Sequence, residues 1–199
     1  MYQELLESLL GDRLHVEPAI GLGGREFGVY KIRTMPIGSG SLDEELIHRN
    51  GLDGSGHIVN NTRPSTRFDR FLRATHIDEL PQFFNILEGD MGLIGPRPHN
   101  QALFSALPQD VQKSYLQHQP GLCGVQYASL RSRRESDYVN ALRKYFERFE
   151  KHPRTTYLQY GARILALYPL RMALGAARFL KDVLPGMNDR KTPRNAESI

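Results

Sequence analysis

Asp78 and Glu79 stand side by side between Arg73 and Pro81, with Asp90 and Arg97 close behind in a stretch punctuated by Pro81, Pro96 and Pro98. Adjacent carboxylates repel one another, so a fold that keeps them together must offset the charge with a cation, a metal ion or water. Arg97, a guanidinium held between two prolines, suits the binding of a phosphate. There is also a plainer reading. Thr75 precedes Asp78 by the spacing of a capping box, and acids in a first helical turn complement the helix dipole. On spacing alone the cap is the favoured reading.

The elements that must position these residues can be read from periodicity. Leu5, Leu6, Leu9 and Leu10 have helical spacing, which predicts a short amphipathic helix over residues 2–10 that Gly11 ends. Gly21, Gly23 and Gly24 lack the third glycine of a dinucleotide fingerprint and follow no long hydrophobic strand, so they read as a turn. Phe27, Val29, Lys31 and Arg33 alternate through a strand. Lys31 and Arg33 then share a face and can hold a phosphate, the alternative being a solvated strand face. Residues 36–64 are glycine-rich and polar, a loop with the composition of a flap over the site. Arg67, Arg70 and Arg73 recur every third residue as a ridge on a helix ending near Thr75. Phe83, Phe84, Ile86 and Leu87 make an apolar helical face, for the core or for a membrane. Pro96 and Pro98 fix the backbone on either side of Arg97, which suits a phosphate clamp. Further helices are expected around residues 102–106, 110–118 and 137–150.

The 199 residues, 40% hydrophobic and 24% charged, describe an ordinary globular chain. The fold class expected is α+β: one mostly helical domain with a small β-hairpin or short sheet, over residues 1–154. A basic and apolar helical segment, 155–184, and a disordered polar tail, 185–199, follow it. No run reaches the ~18 uncharged apolar residues of a spanning helix. A lone Cys123 and the lack of a signal peptide point to a reducing compartment. The net charge of +4 is uneven: residues 1–130 hold 11 Lys/Arg against 15 Asp/Glu, and residues 131–199 hold 15 against 7. A basic half suits an anionic membrane surface or a nucleic acid. Nucleic acid finds no support in a zinc-finger, RNA-recognition or helix-turn-helix pattern. Over residues 155–181, Gln159, Arg163, Arg171, Arg178 and Lys181 form one polar stripe on an otherwise apolar helix, with Pro169 expected to kink it. That is the design of a helix lying on an anionic bilayer; a core helix with a salt-bridged edge is the alternative. The seven histidines have no paired spacing with an acid that would suggest a zinc site.

Read as a unit, Arg73-x-Thr75-x-Ile77-Asp78-Glu79-Leu80-Pro81-Gln82, followed by residues 85–98 ending in Gly95-Pro96-Arg97-Pro98, resembles the signature of the bacterial sugar transferases. These are monotopic polyprenyl-phosphate phosphoglycosyl transferases that begin exopolysaccharide, O-antigen and glycoconjugate assembly. Residues 30–35 and Pro120-Gly121-Leu122-Cys123-Gly124 are weaker matches on either side. The resemblance implies transfer of a sugar-1-phosphate from a UDP-sugar to a polyprenyl phosphate, undecaprenyl phosphate, through a covalent intermediate on Asp78. Glu79 and Asp78 would serve Mg²⁺, and Arg73, Arg97, Lys31, Arg33, Pro96 and Pro98 would form the substrate site. It also implies the cytoplasmic face of the inner membrane; the family's N-terminal membrane helix has no counterpart before residue 20, either because the protein evolved without that anchor or because the sequence starts late, so attachment is expected to be peripheral, through residues 155–181. A homologue that binds sugar nucleotide or scaffolds assembly enzymes without turnover is one alternative. A basic nucleic-acid-binding module is another.

Overall fold

The computed structural model describes residues 2–36, 66–128 and 135–183; the predicted flap beyond Pro36 and the predicted tail lie outside them, as do the side chains of Arg171, Arg178 and Lys181. The architecture is mostly helical around two small pairs of strands. Helix α1 (Tyr2–Leu10) ends where Gly11 turns left-handed at φ 52°. Strand β1 (Leu14–Ile20) then pairs antiparallel with β2 (Glu26–Ile32), in register from Leu14 opposite Ile32 to Ile20 opposite Glu26. Gly23 and Gly24, at φ 69° and 83°, make the turn between them. Leu14 and Tyr30 of this hairpin bury against Leu6 of α1.

Helix α2 (Arg67–Ala74) starts at Thr66, whose hydroxyl accepts from the Asp69 amide, and stops at Thr75. The Thr75 hydroxyl turns back to donate to the Phe71 carbonyl at 2.8 Å. Thr75 therefore closes one helix and does not open the next, so the capping-box reading of Thr75 and Asp78 fails. The acids fall instead in a 3-10 turn, Ile77–Glu79, entered through His76 in the left-handed conformation. Helix α3 (Gln82–Leu87) follows with an inverted arrangement: Phe83 and Leu87 are 50% and 67% exposed, while Gln82 and Asn85 are buried.

Strands β3 (Gly92–Gly95) and β4 (Gly121–Gly124) pair in parallel, and α4 (Gln101–Ala106) and α5 (Gln109–Tyr115) lie between them in sequence. Helix α6 (Glu135–Lys151) supplies Tyr138, Leu142 and Phe146 to the main core, where they meet Val111 and Tyr115. Helix α7 (Pro153–Val183) continues through Pro169 as one element. One face of α7 adds Tyr160 and Ile164 to the core, and further along it crosses the end of α2. At that crossing a Cβ on Gly175 would lie 2.1 Å from the Ala74 carbonyl oxygen, so a glycine is what lets the two backbones touch. Phe179 packs on Phe71 one helical turn beyond, with ring centres 5.6 Å apart. The outer side of α7 leaves Leu158 and Leu165, seven residues apart on one face, 71% and 78% exposed. Among the described residues no helix is long and apolar enough to cross a membrane.

Candidate active site

Arg97 owes its position to glycine. Gly95 and Gly121 face each other so closely that a Cβ on either would penetrate the opposite backbone. Hydrogen bonds from the Gly92 amide to the Pro120 carbonyl (2.7 Å) and from the Gly121 amide to the Pro96 carbonyl (2.8 Å) lock the two segments together. Pro96, wholly buried, fixes the turn from which Arg97 emerges. The Arg97 carbonyl meets the buried hydroxyl of Tyr115 at 3.0 Å. That hydroxyl also lies 3.2 Å from the Ile20 carbonyl and accepts from the His99 amide at 3.2 Å. One phenol thus ties β1, the Arg97 turn and α5 together.

The Arg97 guanidinium donates to Glu79 Oε1 at 3.2 Å; the two side chains are 14% and 9% exposed. Imidazole Nδ1 of His76 faces the other oxygen of the same carboxylate at 3.8 Å, too long for a hydrogen bond. Burial alone would raise the Glu79 pKa, but Arg97 first, and His76 and Lys31 after it, outweigh burial and hold the carboxyl far below the usual range. Asp78 is different. It is buried, no hydrogen bond or ion pair from the described residues reaches its carboxylate, and its pKa is raised, by burial first and then by the Glu79 charge. Arg73, His76 and Lys31 oppose that shift without reversing it. Two neighbouring acids are thereby given opposite characters, one fixed as an anion and one free and more basic, which is how a site divides roles between like groups.

The hairpin brings Lys31 to this cluster, although its ammonium is engaged by Glu17 Oε2 at 2.5 Å. The Glu17 pKa is lowered to about 2, chiefly by Lys31 and against its own burial. Asn100 also reaches Glu17, at 3.4 Å. Arg33 takes another course: its guanidinium donates to the Asp12 and Leu14 carbonyls, so it braces the start of β1. Arg73 is exposed at the end of α2, and of the predicted substrate residues it and Lys31 act on Asp78 by charge. Pro98 is half-buried beyond Arg97. Asp90, the third acid of the stretch, pairs with Arg25 of the hairpin turn.

Glu17, Asn85 and Tyr115 belong to this site and its supports without having been given a role from sequence, and Cys123, noted only as a lone thiol within a weaker family match, lies beside them. Asn85 accepts from the Tyr30 amide at 3.1 Å and donates to the Gly28 carbonyl at 2.7 Å, stitching α3 to β2. Its signal was a single amide within an apolar run. Glu17 and Lys31 sit diagonally across the hairpin on one face, a pairing visible only once the register is fixed. The Cys123 thiol is pushed up by burial and then by the Glu79 charge, which places β4 beside the acids.

Residues 6–153 match the family described as bacterial sugar transferase. The chain belongs to that family. It is 34% identical over 142 residues to the undecaprenyl-phosphate galactose phosphotransferase of Salmonella typhimurium, covering 69% of this chain and 29% of that protein. It is 41% identical over 108 residues to the UDP-glucose:undecaprenyl-phosphate glucose-1-phosphate transferase of Caulobacter vibrioides, covering 53% of this chain and 36% of that one. An uncharacterized sugar transferase of Haemophilus influenzae is 34% identical over 142 residues, again 69% of this chain and 29% of its own length. The sugar transferase chain thus matches about a third or less of the length of these curated relatives.

Among the described residues no group of three or more His, Cys, Asp and Glu side chains is gathered as an all-protein metal cage requires. Two adjacent carboxylates fit the other habit of Mg²⁺, which takes one or two of them and completes its shell with phosphate oxygens and water.

Proposed function

We propose that this sugar transferase moves a sugar-1-phosphate from a UDP-sugar to undecaprenyl phosphate through a covalent intermediate on Asp78. The observation that supports this reading best is the contrast between the two acids: Glu79 is held by Arg97 and His76, while Asp78 is buried, without a bond from the described residues, and more basic than usual. A carboxylate oxygen of Asp78 attacks the β-phosphorus, the bond from that phosphorus to the bridging oxygen breaks, and UMP leaves with the electron pair. The acyl phosphate so formed carries the sugar. An oxygen of undecaprenyl phosphate then attacks the same phosphorus and returns Asp78 to its carboxylate. One hard displacement becomes two easier ones.

Arg97 and Lys31 neutralise charge that gathers on the diphosphate, each already oriented by an acid, Glu79 or Glu17. Asp78 and Glu79 would hold Mg²⁺, which when bound offsets diphosphate charge. A lipid acceptor requires contact with the bilayer, expected at its cytoplasmic face, and two features support a peripheral contact. Leu158, Leu165 and Leu180 are exposed on α7, and Arg163 is exposed on the same helix. The direct test is to supply a UDP-sugar panel, measure UMP release with and without undecaprenyl phosphate, and look for a phosphosugar adduct on the peptide bearing Asp78 by mass spectrometry.

A further inference from the structure

His76 has φ 55° and ψ 20°, the only positive φ outside glycine among the described residues. That conformation is uncommon for residues other than glycine and persists where surrounding contacts over-determine it. Four contacts converge here. The His76 amide donates to the Arg73 carbonyl at 3.2 Å and its carbonyl accepts from the Glu79 amide at 3.3 Å, so the turn carries the imidazole back over the acid three residues on. Nδ1 then faces Glu79 Oε2 while Arg97 holds Oε1. The ring also meets Tyr168 of α7, with centres 5.7 Å apart and planes inclined by 37°. A little further along, Gly175 rests on the Ala74 carbonyl, two residues before His76.

We propose that His76 is a positioning residue for the transfer reaction: its imidazole, wedged between Glu79 and Tyr168, fixes the orientation of the Glu79 carboxylate and makes that orientation depend on the seating of α7. The inference rests on the functional reading above, and it deepens it by giving Glu79 a second holder and the long helix a part in the site. Arg97 alone fixes one carboxylate oxygen and leaves the group free to rotate about it. A second contact from the opposite side removes that freedom, and small misplacements near reacting groups cost rate steeply.

His76→Gly and His76→Ala separate the imidazole from the turn. Glycine adopts the left-handed conformation freely and alanine does not. If His76 served only the turn, the glycine variant would match the wild type and alanine would be worse. The expected result is that both lose kcat by a similar factor, on the order of 10²-fold, with KM for the UDP-sugar little changed. His76→Asn, which tolerates the turn and keeps a short polar side chain, should recover part of the loss. Tyr168→Leu should lower kcat in the wild type and have a smaller effect in the His76→Gly background. A glycine variant with wild-type kcat, or full additivity with Tyr168→Leu, overturns the proposal.

A double-mutant cycle of His76→Gly and Glu79→Gln, read as urea midpoints, tests the contact without turnover and is expected to be non-additive. An additive cycle also overturns the proposal. If the wild type releases no UMP from any UDP-sugar, the functional reading fails by itself while the cycle still decides the His76–Glu79 contact.

Discussion

Gly95 and Gly121 touch backbone to backbone: a Cβ on Gly121 would stand 2.1 Å from the Gly95 amide nitrogen, and one on Gly95 would stand 2.4 Å from the Gln119 carbonyl oxygen. Neither neighbour is a side-chain end that can swing aside. Gly121→Ala must therefore push β4 away from β3 and disturb the turn that carries Arg97. The expected outcome is a loss of both stability and turnover. Gly23→Ala, in an open left-handed turn with nothing within 4 Å, should cost only the backbone strain of about 1–2 kcal/mol. Urea unfolding of the two variants makes the comparison.

Asp78→Asn is expected to abolish transfer and to stabilise the fold. The sign follows from linkage. A carboxyl whose folded pKa is raised favours folding only while protonated, and that contribution is lost as pH rises through the raised value. At neutral pH the buried charge beside Glu79 is a burden, and a neutral amide of the same shape removes it. Melting temperature should rise by about 2–4 °C for each kcal/mol relieved. A folded Asn variant that still turns over would refute the nucleophile assignment.

Arg97→Lys retains charge and loses the planar fork, so one ammonium must choose between Glu79 and a phosphate. Turnover should fall on the order of 10²-fold, the usual cost of one misplaced charge-stabilising donor. Arg97→Ala should in addition destabilise the protein by about 3–5 kcal/mol, because it strands a buried carboxylate. Steady-state kinetics and thermal melts distinguish the two effects.

Acid stability is expected to depend on Glu17. Its folded pKa of about 2 lies below the ordinary 4.5, so it stabilises the fold above the ordinary value and ceases to as pH falls towards the folded one. The contribution is on the order of 3 kcal/mol. Glu17→Gln should flatten the fall in urea midpoint across that range. Glu79, lowered for like reasons, would leave a residual slope of the same sign.

Membrane contact through α7 predicts that Leu158→Gln combined with Leu165→Gln weakens sedimentation with anionic vesicles while leaving the melt unchanged, since both side chains face solvent. Each cation near an anionic leaflet contributes about 1 kcal/mol, so Arg163→Gln should weaken binding further and reduce its sensitivity to salt. Binding indifferent to all three changes would place the contact elsewhere.

Much of this fold was legible because its punctuation is local. Gly11 and the Gly23-Gly24 turn end their elements where they were expected to, and the ridge Arg67, Arg70, Arg73 does belong to a helix that stops at Thr75. The family signature brought Asp78, Glu79 and Arg97 to notice together, and Glu79 does meet that arginine. What spacing misjudged was direction. Thr75 looks forwards in the sequence and bonds backwards in the fold, and the apolar run of α3, legible as a face for the core or for a membrane, leaves Phe83 and Leu87 exposed while Asn85 occupies the interior. Helical periodicity shows that a face exists, and tertiary packing decides which face is turned inward. Contacts between distant segments left no local trace: Glu17 with Lys31 needs a strand register, and Tyr115 with Arg97 needs the parallel strand pair.

Helix α7 has one more consequence, for the order in which the protein becomes itself. Tyr168 and Gly175 back the turn that holds Asp78 and Glu79, yet they are made some ninety residues later. A nascent chain that has emerged only as far as residue 160 owns both acids, Arg97 and the hairpin, with no wall behind His76. On the ribosome, the Glu79 orientation proposed to depend on α7 would be fixed only after most of the fold, when that helix emerges.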